Sequence, residues 1–166
     1  WKQAGQIGTM IVHPKSPDVA FAAVLGKPFG PNPERGVFRT KDGGKTWRRQ
    51  ETIPGVPEMS YVSDLFASRF DANVVYAAFN NHKAGDFKPY LLRSGDRGRT
   101  WMSVASDLPA RGSAWTIAED TVEKELLFAG TEFGLFFSRD GGKKWVQLKG
   151  GMPVIAVRDL AIQKRE

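Results

Sequence analysis

The segment Thr40-Lys41-Asp42-Gly43-Gly44-Lys45-Thr46-Trp47 occurs three times in this chain in slightly varied form. Residues 94–101 have the sequence Ser-Gly-Asp-Arg-Gly-Arg-Thr-Trp, and residues 138–145 have the sequence Ser-Arg-Asp-Gly-Gly-Lys-Lys-Trp. The three aspartates, at positions 42, 96 and 140, are spaced by 54 and 44 residues. This period is typical of a β-propeller in which each repeat forms one four-stranded blade.

Each residue type in the repeated segment has a role in a tight hairpin. The aspartate can accept hydrogen bonds from nearby backbone N–H groups, and the preceding Ser or Thr can do so through its hydroxyl. The glycine can adopt a positive φ, and the Trp can bury its apolar surface between neighbouring blades. With Lys144 in place of Thr, the third hairpin is expected to lack one side-chain hydrogen bond. We predict structural roles for Thr40, Asp42, Gly44, Thr46, Trp47, Ser94, Asp96, Gly98, Thr100, Trp101, Ser138, Asp140, Gly142 and Trp145.

The sequence between the hairpins predicts strands. Short β-branched and aromatic runs precede each hairpin and are bounded by Gly, Pro, Asn and Asp, which is the pattern of an all-β protein. We therefore predict a β-propeller fragment of about three four-stranded blades, at about residues 7–50, 60–106 and 113–149. The apolar segment 154–162 predicts one extra inner strand, and no window predicts a substantial helix.

The repeated segment resembles the Asp-box, or bacterial neuraminidase repeat, of sialidase-type β-propellers. Residues 50–166 resemble a late part of the large propeller of bacterial sortilin-like proteins, and residues 1–49 resemble an early blade of the same proteins. This resemblance implies a non-catalytic module that binds a peptide or protein ligand as part of a larger propeller. Because Asp-box propellers also include glycosidases, a fragment of a carbohydrate-active enzyme with a glycan ligand is the alternative.

The composition fits a secreted or periplasmic bacterial protein without a membrane span. There is no cysteine, and no apolar run approaches the ~20 residues of a membrane helix. The net charge is +6, and residues 39–49, 93–99 and 139–149 together hold twelve basic and three acidic residues. Because these hairpins should share one rim of the ring, that rim is expected to be positive. It could contact a polyanion, or simply be a solvated surface that discourages edge aggregation.

The opposite rim is where we expect ligand binding, because it carries the long loops at residues 26–35 and 80–88. The candidate ligand-binding residues are Asp64, Asn81, His82, Lys83, Asp86, Arg158 and Asp159. Alternatively, His82 is an exposed loop histidine, and Asp64 and Asp159 hydrogen-bond to neighbouring backbone. The sequence predicts no catalytic residue, cofactor or metal site.

Unpaired strands at the two ends lead to an expectation about assembly. Residues 1–6 predict an outer strand and residues 154–162 an inner strand, each without the rest of its blade. Apolar side chains left in water there cost roughly 1.5–3 kcal/mol each. We therefore expect either a homo-oligomer or a fragment that needs further blades.

Overall fold

The computed structural model describes residues 5–30 and 32–163, which form three four-stranded antiparallel sheets. The first sheet contains β1 (Gln6–His13), β2 (Ser16–Gly26), β3 (Gly36–Thr40) and β4 (Arg48–Arg49). The second contains β5 (Tyr61–Ala67), β6 (Val75–Asn81), β7 (Asp86–Ser94) and β8 (Met102–Ser103). The third contains β9 (Ala114–Glu119), β10 (Leu127–Thr131), β11 (Gly134–Ser138) and β12 (Val146–Gln147).

Each sheet is a simple meander, in which every strand pairs with the next strand along the chain. This is the architecture of a propeller blade, so the predicted all-β propeller fragment is confirmed. The only helical segment in the described residues is the 3-10 helix His82–Ala84, between β6 and β7. No helix among those residues has the length and apolar character needed to cross a membrane.

The middle blade is apolar on both faces. Val75, Ala77 and Phe79 of β6 pack with Phe21 and other residues of the first blade, and all are buried. The alternate residues Tyr76 and Ala78 face the third blade. Because successive side chains of a strand point to opposite faces, one short apolar run supplies two separate cores.

The three repeated segments form the predicted hairpins, here called the box hairpins (residues 40–47, 94–101 and 138–145). In the second, the Ser94 hydroxyl donates to Asp96 Oδ1 at 2.8 Å and accepts from the Gly98 N–H at 2.7 Å. The Thr100 N–H donates to Asp96 Oδ1 and the Thr100 hydroxyl to Oδ2, at 2.8 and 2.7 Å. These local bonds join both sides of the turn.

The third box hairpin confirms the expected loss of one bond. Asp140 accepts from the Ser138 hydroxyl and from the N–H groups of Lys143 and Lys144, but position 144 offers no hydroxyl. Partial burial raises the pKa of Asp96, yet its hydrogen bonds from Thr100 and Ser94 bring it down to about 2. The pKa of Asp140 is also lowered, chiefly by the Ser138 hydroxyl.

The box Trp side chains lie just before the outer strands rather than on them, because β4, β8 and β12 each begin one residue later. Trp101 packs in the core between the first and second blades, and Trp145 donates from Nε1 to the Val104 carbonyl at the end of the second blade. Both are 6% exposed. Trp47 is half-buried, so it is less buried than the other two box Trp side chains.

Residues 154–162 do not form the predicted inner strand. The Val157 N–H donates to the Thr131 carbonyl at 2.9 Å, and the Val157 carbonyl lies against Gly130 of β10. A strand needs a ladder of such bonds, and the described residues contain no second strand of a fourth blade. The segment therefore runs along the third blade in an irregular conformation.

Close packing between blades explains why a glycine is required in the second box hairpin. A Cβ on Gly98 would lie 2.7 Å from the Phe21 ring of the first blade, and φ is +77°. Gly44 occupies the same place in the first box hairpin, with φ +90°, but a Cβ there would meet nothing closer than 3.8 Å. The two glycines therefore share a backbone requirement but differ in packing.

We predict that Gly98→Ala destabilises the protein by about 2–4 kcal/mol, because it combines left-handed backbone strain with overpacking. The control Gly44→Ala should cost about 1–2 kcal/mol, from backbone strain alone. Urea unfolding of both variants provides the measurement. Equal losses would contradict the close contact between blades.

Candidate functional site

The rim opposite the box hairpins brings together the chain segments that form the candidate site. These are the β6–β7 loop, the connection into β9, the β10–β11 turn and the segment 154–162. They meet because the three blades have the same strand order and stack side by side, so equivalent strand ends share one rim.

A β-bulge places Trp115 at this rim. In the pairing of β9 with β10, Thr116 opposes Gly130 and Ala114 opposes Thr131, so Trp115 is the extra residue. Ser63 of β5 is the extra residue at the equivalent place in the second blade. Bulges change the direction of a side chain relative to the regular pleat.

Trp115 is held from three sides. Its indole Nε1 donates to Glu132 Oε2 at 2.8 Å, and the guanidinium carbon of Arg158 lies 4.1 Å from the ring centroid. The His82 ring meets the indole edge-on, with centroids 5.4 Å apart. The indole therefore contacts a carboxylate, a cation and an aromatic ring at once.

His82 owes its position to a chain of hydrogen bonds. The Asn80 amide donates to the Ser63 hydroxyl at 2.7 Å, and the Asn80 side-chain oxygen lies 2.5 Å from His82 Nδ1. Asn80 is buried, and Ser63 is the bulged residue of β5. The two inner-strand bulges are thus connected through His82.

A cavity of about 320 Å³ opens beside Trp115, and we call it the Trp115 cavity. Its walls combine aromatic rings, two guanidinium groups and one carboxylate. They are formed by His82, Phe87, Arg111, Gly112, Ser113, Trp115, Glu132, Phe133 and Arg158.

The polar groups of the Trp115 cavity are only partly satisfied. Ser113 is 1% exposed, and its hydroxyl has no hydrogen-bond partner within residues 5–30 and 32–163. The Arg111 guanidinium carbon lies 5.9 Å from the centroid of the half-exposed Phe87 ring. Since buried polar groups are normally paired, the Ser113 hydroxyl is suited to a partner that enters the cavity.

Of the residues proposed from sequence, only His82 and Arg158 line the Trp115 cavity. Asn81 and Asp86 instead secure the base of the β6–β7 loop, where Asp86 accepts from Asn81 at 3.4 Å and from the Tyr90 hydroxyl at 2.5 Å. The Tyr90 hydroxyl is the main reason that the pKa of Asp86 is lowered.

Lys83 lies in a different environment from His82, although the two are neighbours in sequence. Its ammonium group is 4.6 Å from the Tyr61 ring centroid and 5.6 Å from that of the exposed Phe29. It lines a second cavity of about 310 Å³ together with the buried Arg35. The Arg35 guanidinium donates to the carbonyls of Leu25, Lys27, Gly30 and Met59, so its donors are used within the fold.

Asp64 joins the second blade to the third. Its Oδ2 accepts from the Thr116 hydroxyl at 2.8 Å and from the Ile117 N–H at 3.1 Å, while Oδ1 accepts from the Leu65 N–H. Burial raises the pKa of Asp64 above its ordinary value, in opposition to these hydrogen bonds. These bonds agree with the alternative stated for Asp64 in the sequence analysis, in which the carboxylate hydrogen-bonds to neighbouring backbone instead of a ligand.

Asp159 repeats part of this geometry in the irregular segment. Its Oδ1 accepts from the Leu160 N–H at 2.8 Å, as Asp64 does from Leu65, but the Asp159 side chain is exposed. The segment thus shares this one local hydrogen bond with β5.

Sequence reasoning missed Trp115, Arg111, Glu132 and Phe133. Trp115 lies near the start of β9 and was not among the candidate residues named from the sequence. A signal was available, because the equivalent positions Gly8 and Ser63 are small or polar, so a Trp there does not fill a repeated core site. The other three lie in short connections that the pattern did not single out.

The Trp115 cavity contains a single carboxylate. Glu132 is the one carboxylate among the residues lining the Trp115 cavity, and it already accepts from Trp115. Retaining and inverting glycosidases use two carboxyl groups that flank the bond. Among the described residues, no group of three His, Cys, Asp or Glu side chains is arranged to hold a metal ion.

No protein-family model matches the chain. Among curated proteins, it is 28% identical to xyloglucanase Xgh74A of Acetivibrio thermocellus over 127 residues, which cover 69% of this chain and 15% of the xyloglucanase. The chain therefore spans a small part of that relative.

Solved structures share the fold at low sequence identity. An ancestral GH74 enzyme superposes with a TM-score of 0.66 and 18% identity, over 89% of this chain and 19% of the enzyme. YCF48 from Cyanidioschyzon merolae superposes with a TM-score of 0.63 and 16% sequence identity, over 89% of this chain and 41% of YCF48. The structure of YCF48 bound to D1 peptide superposes with a TM-score of 0.59 and 19% sequence identity, over 87% of this chain and 41% of YCF48. These likenesses place the chain among β-propeller proteins.

We predict that Asp64→Ala lowers the free energy of unfolding by about 1–3 kcal/mol, because buried donors on two blades lose their acceptor. The control Asp159→Ala removes an exposed carboxylate with the same local hydrogen bond and should change stability by less than about 0.5 kcal/mol. Thermal unfolding, monitored by circular dichroism, gives the stability of both variants. A similar small change for the two variants would show that Asp64 does not join the blades.

Proposed function

We propose that this chain is a non-catalytic β-propeller module that binds a peptide or protein ligand in the Trp115 cavity, as part of a larger sortilin-like propeller. The observation that carries the proposal is the combination of aromatic walls, two guanidinium groups and an unpaired buried hydroxyl around one cavity. Ligand sites are typically apolar cavities with a few convergent polar groups.

The charges of the cavity favour a ligand that carries a carboxylate. Arg111 and Arg158 both line it, while its one carboxylate, on Glu132, accepts from Trp115. A guanidinium pairs with a carboxylate through two parallel hydrogen bonds. Phe87 and Phe133 offer half-exposed rings to an adjacent apolar side chain. Peptide binding has a precedent on this fold in YCF48 bound to D1 peptide.

A carbohydrate-active propeller is the second candidate. It is favoured by the sequence similarity to a xyloglucanase and by the likeness to a GH74 enzyme. Aromatic rings also stack on sugars, so the walls of the Trp115 cavity suit a glycan. Against catalysis stands the engagement of Asp64 and Glu132 in bonds that hold the fold together.

The test uses short random peptides, selected on the immobilised chain and then synthesised with a free carboxylate and with a terminal carboxamide. We expect the free-carboxylate form to bind at least about ten-fold more tightly, and Arg158→Gln to remove that difference. Lys83→Gln is the matched control, because it removes a cation from the same rim outside the cavity. Isothermal titration calorimetry gives the affinities.

Two results would overturn the proposal. One is an equal effect of Lys83→Gln and Arg158→Gln, which would place the ligand elsewhere. The other is release of reducing ends from xyloglucan by the chain, which would establish the carbohydrate-active alternative. Failure to enrich any peptide would likewise count against a peptide-binding role.

Self-association stays a prediction, and the structure offers surfaces for it. Ile7, Met10 and Val12 of β1 are exposed, as are Val154 and Ile155 beyond the third blade. Burying such side chains in a second copy is favourable by about 1.5–3 kcal/mol each. We expect light scattering at micromolar concentration to give a dimer or larger species. A mass of 18.4 kDa, that of one chain, would contradict the expectation.

A further inference from the structure

A third cavity lies on the other rim, at the first box hairpin, and its lining is cationic. It has a volume of about 280 Å³ and is lined by Arg39, Lys41, Thr46, Arg48 and Gln50. No carboxylate is among these residues. We call it the basic cleft.

The strand register forces the cations of the basic cleft together. Arg39 of β3 stands directly opposite Arg48 of β4, so the two side chains share one face of the sheet. Like charges in directly opposed positions repel each other. Lys41 follows two residues after Arg39 and adds a third positive charge.

Arg39 is the most unusual of these residues. It is 6% exposed, and its Nε has no hydrogen-bond partner within the described parts of the chain. Burial, together with Arg99 and Arg97 of the neighbouring box hairpin, lowers the pKa of Arg39. A buried guanidinium normally has its donors paired, as Arg35 of the same blade does.

The nearby carboxylates are negatively charged and partly offset this charge, but no hydrogen bond joins them to Arg39 among the described residues. Asp96 acts favourably on Arg39, but its oxygens accept from Ser94 and Thr100 within its own hairpin. Asp42 is engaged in the same way by Thr40 and Thr46. The pKa of the exposed Lys41 is lowered as well, chiefly by Arg39 and then by Arg99.

We propose that the basic cleft binds a tetrahedral oxyanion, a sulfate or phosphate group, with Arg39 donating from the buried side and Lys41 and Arg48 from the open side. A guanidinium offers several N–H donors in a planar fork that matches such groups, and a bound anion would relieve the repulsion among the cations. The Gln50 amide supplies a neutral donor at the edge. This site is separate from the Trp115 cavity, because the two lie on opposite rims.

The test compares sodium sulfate, sodium phosphate and sodium chloride at equal ionic strength. We expect millimolar sulfate and phosphate, but not chloride, to raise the melting midpoint of the chain, because a ligand that binds only the folded state stabilises it. At millimolar concentration the general stabilisation of proteins by excluded sulfate and phosphate is small. A sulfated oligosaccharide then distinguishes a free ion from a polymer-borne group. Tighter binding of the oligosaccharide assigns the site to a polymer, whereas equal binding assigns it to the free ion.

Substitutions in the basic cleft test whether sulfate binds there. Lys41→Gln combined with Arg48→Gln changes two exposed side chains and should weaken sulfate binding by about ten-fold or more, measured by calorimetry. The matched control is Lys143→Gln combined with Lys144→Gln, which removes the same charge from the third box hairpin and should leave the affinity unchanged. Arg39→Gln should abolish the shift in melting midpoint if the variant folds.

The proposal is overturned if sulfate, phosphate and chloride have equal effects at matched ionic strength. It is also overturned if the Lys143 and Lys144 double variant loses as much affinity as the Lys41 and Arg48 double variant, since the attraction would then be a general property of the basic rim. Both double variants alter exposed side chains, so these comparisons do not depend on the folding of Arg39→Gln.

Discussion

Burial of both faces of β6 is the constraint on which the rest of the structure depends. A single blade has two apolar faces and cannot cover both by itself, so the second blade needs a neighbour on each side. Tyr76 and Ala78 require the third blade, and Val75, Ala77 and Phe79 require the first. The stacking of blades, the closeness of Gly98 to Phe21 and the wedging of Trp101 and Trp145 between sheets all follow from this requirement.

Hydrogen bonds between side chains and backbone of adjacent blades fix how the second and third blades are aligned along their strands. Apolar packing alone does not specify this alignment, because it is not directional. Asp64 accepts from Thr116 and Ile117 of the third blade, and at the opposite end of the inner strands Glu119 accepts from Ser68 and from the Arg69 N–H of the second. Burial raises the pKa of both carboxyl groups. Such buried acceptors tolerate little displacement, because each lost bond leaves an unpaired group. These two carboxylates are therefore occupied with joining the second blade to the third.

The meander also places the cationic side chains and the aromatic side chains on two different rims. The rim of the box hairpins collects cations, because its turns need Asp and Gly at fixed places and leave the other positions open to Lys and Arg. The opposite rim carries aromatic rings from several segments: a bulge places Trp115 there, and Phe87 and Phe133 lie beside the connections into β7 and β11. A propeller of this kind thus presents two surfaces of different chemistry on one scaffold.

The sequence by itself determined the repeat, the hairpins and the blade type, because these depend on contacts within a few residues. Asp96 finds its donors four residues away, and Lys144 could be seen to lack a hydroxyl without any coordinates. The tertiary structure alone decided which polar residues meet. His82 and Arg158 reach the same indole from separate chain segments, and Arg39 faces Arg48 through the strand register. The sequence did not reveal Trp115 as the centre of the rim cavity, nor the irregular course of residues 154–162, since both depend on bulges and on pairing with distant strands, which local preferences do not encode.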